Sequence, residues 1–292
     1  MTILQLNPTA YRGQLSAPKK TGINSLFRGK IQVNDGAEPI RCYIKPLPDY
    51  IPCPVKKTLV ENRELVAEAV GYVLAREAGL NVPKRAGVIL LEHEQIPPEA
   101  LPAPVPGVSP DDGMLAWFSE DMIHPDYALK YFDVSAPPEL QERMLRNLVN
   151  IIKNTPSVHK ILAFDDWLLN SDRHFGNLLV GKGSPILIDH GRIFGYPNWQ
   201  PGSFGQDVHE FRNRLLDLIL LFDSGWGSSS EAKSGRLFAY EGLKHSFQKT
   251  GESIARNTLL EFFEEDDCEA VVELLSSRVQ DEKYNQVVGL LL

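Results

Sequence analysis

The sequence predicts an α+β protein with a small strand-rich first lobe and a mostly helical second lobe. Short strand-like runs, separated by turn signals, are concentrated before about residue 120, and long stretches with helical spacing of apolar residues follow. A hairpin rich in Asp and Asn interrupts the helical part. With 292 residues, the chain is long enough for two lobes that each bury a core. We therefore predict lobes at residues 1–120 and 121–292.

The composition is that of a globular protein, and it narrows the classes of partner. Hydrophobic residues make up 43% of the chain and charged residues 23%. The formal net charge of -8 opposes broad contact with nucleic acid or an anionic membrane, and we expect neither as a partner. The three cysteines lack metal-ligand spacing and cannot all pair, which favours a reducing, cytoplasmic compartment. No apolar run approaches membrane-spanning length.

The first lobe should contain several strands. A first strand is predicted around Thr9 to Ser16. The strand-like runs Leu26–Val33 and Ile40–Lys45 flank Asn34-Asp35-Gly36, so they should pair as a hairpin. Two more strands and a Pro-rich surface insertion are predicted at Arg85–Leu91, Met114–Phe118 and residues 92–113.

One helix is predicted in this lobe, from about Leu59 to Ala78. The Pro-rich residues 46–58 before it are typical of an irregular connection, and Gly79 should end it. Glu64 and Glu68 lie four positions apart and share one helical face. The spacing alone is also typical of glutamates on a solvated helix face.

The second lobe should be built from helices. Ser157 is a good N-cap for the helix that contains Trp167, which we expect in the core. Asp165 and Asp166 are consecutive, so they point apart and should cap or brace that helix. The other helices are predicted at Pro138–Lys153, Asp207–Phe222, Lys233–Lys249, Ser253–Phe263 and Ala270–Val279.

The polar hairpin carries the chemistry. Asp172 and Asn177 precede two short apolar runs, and Asp189 follows the second of them. Phosphoryl transfer needs such a set: one Asp to orient the attacking hydroxyl, and an Asn and a second Asp to hold magnesium on ATP. Magnesium is usually bound by one or two carboxylates plus phosphates, so few protein ligands are expected. The alternative is a solvated hairpin whose Asp and Asn residues form turns.

These residues resemble a known family. Asp172-Arg173-His174-x-x-Asn177, followed by Ile188-Asp189-x-Gly191, resembles the catalytic and metal-binding loops of the HipA-like kinases. The phosphatidylinositol-kinase-related enzymes share the Asp-Arg-His-x-x-Asn order. The resemblance implies a two-lobe protein-kinase-like fold that binds ATP and Mg²⁺, with Asp172 orienting the acceptor and Asn177 and Asp189 holding the metal. His190 stands where many kinases have Phe. We favour a bracing role for Arg173.

The same resemblance assigns residues in the first lobe. Lys45 matches the strand lysine that reaches the phosphates, and it would otherwise be a solvent-facing lysine. Glu68 matches the helix glutamate that pairs with this lysine, with Glu64 in reserve. In the predicted hinge, Ser119 to Met122, backbone groups at Glu120 are expected to meet adenine.

The resemblance also suggests a phosphate-covering loop at residues 17–25. Lys20, Gly22 and Ser25 would meet the nucleotide there, yet the loop lacks a G-x-G-x-x-G pattern and could equally be an ordinary hairpin loop. HipA-like kinases can be silenced by autophosphorylation in this loop, and Ser16, Thr21 and Ser25 are the candidates. The alternative is that these hydroxyls only form turns.

Three functions remain open. A protein serine/threonine kinase is favoured, because the HipA-like relatives phosphorylate protein serine or threonine. Some of these relatives are toxin components, so an antitoxin or other regulator is a candidate partner. A lipid or small-molecule kinase and a catalytically silent nucleotide-binding scaffold are the alternatives. Residues 190–206 carry only Arg192 as a basic residue, so a polyanionic head group is disfavoured as acceptor. Three of the aromatics in this segment, Tyr196, Trp199 and Phe204, should form either a local core or a surface for a polypeptide.

Overall fold

The computed structural model describes residues 3–16, 26–52, 58–103, 113–195, 197–204, 212–280, 284–285 and 288. It confirms the predicted fold class, a two-lobe α+β arrangement with a small sheet-bearing lobe and a mostly helical lobe. The division at residue 120 stays a prediction. The strands are β1 (Leu4–Leu6), β2 (Tyr11–Gln14), β3 (Phe27–Ile31), β4 (Ile40–Pro46), β5 (Tyr50–Pro52), β6 (Leu59–Glu61), β7 (Ala86–Leu91), β8 (Met114–Glu120), β9 (Leu178–Leu179) and β10 (Ile186–Leu187).

Six strands form the main sheet, in the order β1-β7-β8-β4-β3-β2. The predicted hairpin is confirmed: β3 and β4 pair antiparallel, with Phe27 opposite Ile44. The first-strand prediction missed β1, which pairs parallel with β7. Gly87 permits this approach, since a Cβ there would lie 2.1 Å from the carbonyl oxygen of Leu4.

The two faces of the sheet enter different cores, because side chains alternate along each strand. Val88 and Trp117 face the larger core, which continues into the helical lobe. Ile89 and Phe118 face a smaller core on the other side. Ile96 of the insertion is buried in that smaller core, so the prediction of a purely surface insertion was wrong for this part. Residues 104–112 lie outside the described chain.

The helices are α1 (Glu64–Glu77), α2 (Tyr127–Tyr131), α3 (Pro138–Lys153), α4 (Val158–Leu168), α5 (Arg214–Phe222), α6 (Ser230–Ser246), α7 (Glu252–Leu259) and α8 (Glu265–Arg278). A π-helical turn, Phe247–Gly251, joins α6 to α7. The predicted bounds of α3 are confirmed. Of the helix predicted from residue 207, the described part begins at Arg214, and residues 207–211 lie outside the described chain.

Helix α1 begins later than predicted. Leu59–Glu61 is a strand that pairs with Tyr50–Pro52, so the connection at 46–58 is not wholly irregular either. In this short segment, pairing between the two strands outweighs the helical pattern of the residues. Gly79 ends the helix as predicted, with a left-handed φ of 69°.

Helix α4 is held in the core by polar groups. Asp166 accepts hydrogen bonds from Asn213 (2.7 Å), Arg236 (2.8 Å) and Tyr284 (3.0 Å). This confirms its bracing role, and Trp167 is buried as expected. Ser157 makes no capping bond, because its hydroxyl lies 2.6 Å from that of Ser184. None of the described helices combines the length and apolarity needed to span a bilayer.

Candidate active site

Lys45 is buried between the sheet and helix α1. On β4 it pairs in register with Trp117, whose side chain lies in the core shared with α1, so both side chains face that helix. The Lys45 side chain is only 7% exposed. Its Nζ lies 2.5 Å from Glu64, 3.0 Å from Glu68 and 3.0 Å from Asp189. The structure therefore brings together the predicted lysine, both candidate glutamates and the aspartate of the hairpin.

The charged groups in this cluster shift one another's pKa values. Burial alone would lower the pKa of Lys45, but the surrounding carboxylates outweigh burial and raise it well above its ordinary value. Burial raises the pKa of Glu68 to about 7, against the opposing effect of Lys45. Burial acts on Asp189 too, but the Lys45 ammonium outweighs it and lowers the pKa of Asp189. Asp189 is therefore an anion at neutral pH, as a metal ligand must be.

Helix α1 also contacts the loop that follows Asp189. The second oxygen of Glu68 accepts a 2.8 Å hydrogen bond from the backbone N–H of His190. Gly71, one turn further along the same face, lies against the His190 side chain, and a Cβ at Gly71 would be 2.4 Å from the Cβ of His190. A Cβ at Gly191 would similarly lie 2.6 Å from Glu64. Two glycines thus allow the helix and the loop to approach closely.

Substituting Gly71 by Ala should therefore disturb both stability and the lysine cluster. We expect a loss of about 1–3 kcal/mol in the free energy of unfolding, as for overpacked cores. Gly242→Ala is the matched control, because a Cβ at this exposed position of α6 meets nothing within 4 Å. The control should be neutral or more stable by about 0.4–1 kcal/mol. Urea denaturation measures both variants, and equal changes would contradict the close packing at Gly71.

Arg173 braces the hairpin from within. It is fully buried and pairs with Asp165, Nε to Oδ2 at 3.1 Å. Its Nη1 donates to the backbone oxygen of Ile188 at 2.6 Å, directly before Asp189. Its Nη2 lies 3.2 Å from Nδ1 of His190. Arginine has only donors, so this His190 nitrogen accepts. Burial, followed by the Arg173 charge, lowers the pKa of His190 well below its ordinary value, so the ring is neutral.

Strand pairing brings together the two segments that carry the predicted metal ligands. Strands β9 and β10 pair antiparallel, and the N–H of Ile188 donates to the backbone oxygen of Asn177 at 3.2 Å. The side-chain nitrogen of Asn177 donates to the backbone oxygen of Asp172 at 3.0 Å, which leaves its amide oxygen as the ligand atom. Oxygen donors of this kind fit Mg²⁺. Their role as ligands stays a prediction.

A second group of carboxylates also has suitable spacing for a cation. Oxygens of Glu64, Glu68 and Asp189 lie within 4.8 Å of one another. The Lys45 ammonium already contacts all three, so a metal ion held by this set would have to displace it. A metal ion held by Asn177 and Asp189 would compete with only one of these three Lys45 contacts.

Asp172 lies at the accessible side of the hairpin. The side-chain oxygen of Asn170 accepts a 3.2 Å hydrogen bond from the backbone N–H of Asp172. Its carboxylate contacts the guanidinium of Arg214, the first residue of α5. Arg214 was not predicted from the sequence, because no local pattern relates it to a loop that precedes it by 42 positions.

The loops around this site contain backbone conformations that are rare for residues with a side chain. Among the described residues, four non-glycine positions have positive φ: Ile123, Leu169, Asp189 and Phe194. Asp189 is a predicted ligand, Leu169 ends α4, and Ile123 follows β8. Strained residues of this kind cluster at functional sites.

The remaining predicted positions are less informative. Lys20, Gly22 and Ser25 lie outside the described residues. The Glu120 side chain is paired with Arg85 at 2.9 Å, and its backbone N–H already donates to the Arg85 oxygen at 2.8 Å. Any adenine contact at Glu120 would therefore use its carbonyl. This contact stays a prediction.

The aromatics after Asp189 form a local core. Trp199 is buried, with its ring 4.9 Å from Phe194, 5.5 Å from Phe204 and 5.8 Å from Phe263. Of the two alternatives, the structure favours the local core over a polypeptide-binding surface for Trp199 and Phe204. Tyr196 lies outside the described residues.

No protein-family model and no curated protein matches the chain. Solved structures of kinases do resemble it distantly. The Golgi casein kinase has a TM-score of 0.36 and 15% identity, over 95% of this chain and 70% of that one. Its form with Mn and ADP bound has a TM-score of 0.39 and 14% identity, over 95% and 72%. A MAP kinase from Leishmania major has a TM-score of 0.26 and 12% identity, over 94% and 81%. At these values no residue role or ligand is carried over.

Proposed function

We propose that the protein is an ATP-dependent phosphotransferase that acts on hydroxyl groups of proteins. The observation that carries this proposal is the contact of Lys45 with Glu68 and with Asp189, across 23 and 144 positions of sequence. A cation bound by a helix glutamate, beside an aspartate on a metal-binding hairpin, is the arrangement that kinases use to hold ATP phosphates.

Each residue has a separate task in this proposal. Lys45 binds phosphate oxygens, and Glu68 positions it. Asn177 and Asp189 hold Mg²⁺, which when bound offsets the charge on the phosphates. Asp172 orients the acceptor hydroxyl and accepts its proton. Burial of Lys45 and Glu68 keeps water from competing for these contacts.

We propose more narrowly that the acceptor is serine or threonine. We also propose a role as a toxin, with an antitoxin or other regulator as its partner. Both rest on the HipA-like motif at Asp172 to Gly191. Autophosphorylation at Ser16, Thr21 or Ser25 is a further prediction, and Thr21 and Ser25 lie outside the described residues. Peptide mapping of protein expressed with and without Asp172 tests it.

The experiment is incubation of the purified protein with γ-labelled ATP, alone, with a cell lysate, and with phosphoinositide vesicles. We expect labelled protein bands that disappear in the Asp172→Asn variant. Labelled lipid alone would indicate a lipid kinase. Absence of label under all three conditions, with ATP still bound, would indicate a silent nucleotide-binding protein.

A further inference from the structure

Arg214 contacts the residue that we expect to receive the acceptor. Its Nη1 lies against Oδ1 of Asp172. The side chains are 50% exposed for Arg214 and 36% exposed for Asp172, so a molecule that approaches Asp172 can also reach the guanidinium. The pair therefore lies on the acceptor side of the proposed site.

The position of Arg214 is fixed by a buried anchor. The side-chain nitrogen of the preceding Asn213 donates to Asp166 at 2.7 Å and to the oxygen of Leu162 at 3.1 Å. The side-chain oxygen of Asn213 accepts from the N–H of Leu216 at 3.1 Å and so caps α5. Both Asp166 and Leu162 belong to α4, the helix that leads into the loop of Asp172. The backbone at Arg214 is thus held against the catalytic loop.

The contact has a chemical consequence. The contact with Arg214 uses one of the two carboxylate oxygens of Asp172 and so leaves fewer acceptor sites for orienting a hydroxyl. Exposed ion pairs are weak, so Arg214 can exchange Asp172 for another anion. The planar guanidinium is suited to a carboxylate, which it binds through two parallel hydrogen bonds.

We propose that Arg214 determines acceptor specificity by binding a carboxylate of an acidic polypeptide, and that this exchange frees Asp172 to orient the acceptor hydroxyl. The inference rests on the proposed function and names its substrate class. In the transfer, the bond between the γ-phosphorus and the bridging β–γ oxygen breaks. A bond from the acceptor oxygen to that phosphorus forms, ADP leaves with the bridging oxygen, and the hydroxyl proton passes to Asp172.

An acidic polypeptide suits this site better than an anionic lipid. A phosphoinositide head group carries several phosphates and needs several basic side chains, whereas a single carboxylate needs one arginine. The net charge of -8 also opposes approach to an anionic bilayer. A polypeptide avoids this repulsion, since only its local segment must be acidic.

The test uses pairs of synthetic peptides with one central serine, flanked by Glu in one member and by Gln in the other. For the wild-type protein we expect kcat/KM about two- to fivefold higher for the Glu peptide, the range of an exposed ion pair. Arg214→Gln should reduce this ratio to about one, and Arg214→Lys should retain part of it. Arg212→Gln is the matched control, an exposed arginine two positions away, and should keep the wild-type ratio.

A change in the ratio separates specificity from a loss of folding, which lowers both rates together. Binding of fluorescent peptides with Ala in place of the central serine gives a second readout, and Arg214→Gln should weaken only the Glu form. An unchanged ratio in Arg214→Gln, or faster transfer to phosphoinositide vesicles than to either peptide, would overturn the inference. Equal transfer to both peptides by the wild type would also overturn it, while the proposed kinase function stands. No transfer to any acceptor would overturn both.

Discussion

Replacement of Asp172 by Asn should abolish phosphoryl transfer and leave the affinity for ATP with magnesium within a few-fold. In the proposed mechanism the carboxylate orients the hydroxyl and accepts its proton, and loss of such help typically reduces the rate by about a hundredfold or more. Asn keeps the size of the side chain, and the backbone contacts of Asp172 with Asn170 and Asn177 do not need the charge. Quenched-flow transfer rates and calorimetric nucleotide titrations measure the two effects.

The control for this variant is Asp217→Asn, an exposed aspartate on α5 near Arg214. It removes the same charge from the same side of the molecule but leaves the catalytic loop intact. We expect nearly wild-type transfer for it. If Asp172→Asn transfers phosphate as fast as the control, Asp172 does not have the proposed role.

Asp189→Asn should weaken ATP binding in the presence of magnesium by at least about tenfold and change it little without magnesium. Loss of a group that only supports a metal ligand costs about 10–100-fold, so loss of the ligand itself should cost no less. Lys45 keeps Glu64 and Glu68 as partners in this variant, so its own position should be retained. Calorimetric titrations with ATP, with and without magnesium, measure the affinity of the variant in each condition.

Glu64→Gln is the matched control for the metal. Like Asp189, Glu64 contacts Lys45, but it lies on α1 and not on the hairpin. It should alter ATP binding by a similar factor with and without magnesium. Should Asp189→Asn also lose equal affinity in both conditions, Asp189 would be a structural partner of Lys45 instead of a ligand.

Local patterns predicted the parts of the fold that depend on neighbouring residues. The hairpin of β3 and β4, the end of α1 at Gly79 and the full length of α3 follow from turn, capping and helical patterns. Strand β1 could not be recognised in this way. It has three residues and is completed by parallel pairing with β7, a partner distant in sequence.

The same difference between local patterns and distant contacts applies to the residues of the site. Asp172, Asn177 and Asp189 could be recognised because their order on one hairpin is itself a pattern. Arg214 could not, because its place depends on the buried anchor at Asn213 and on α4. Trp199 could be assigned to a core only once Phe263 was found beside it. Contacts between distant segments decide these positions, and single residues carry no signal for them.

A single-turnover reaction with ATP labelled at either the α- or the γ-phosphate tests the central claim most directly. The wild-type protein should transfer acid-stable label to a protein acceptor from γ-labelled ATP and none from α-labelled ATP, and Asp172→Asn should transfer neither. Incorporation of α-label without γ-label would show that AMP is transferred and that the β- and γ-phosphates leave as pyrophosphate. That result would contradict phosphoryl transfer at the site of Lys45, Asp172 and Asp189.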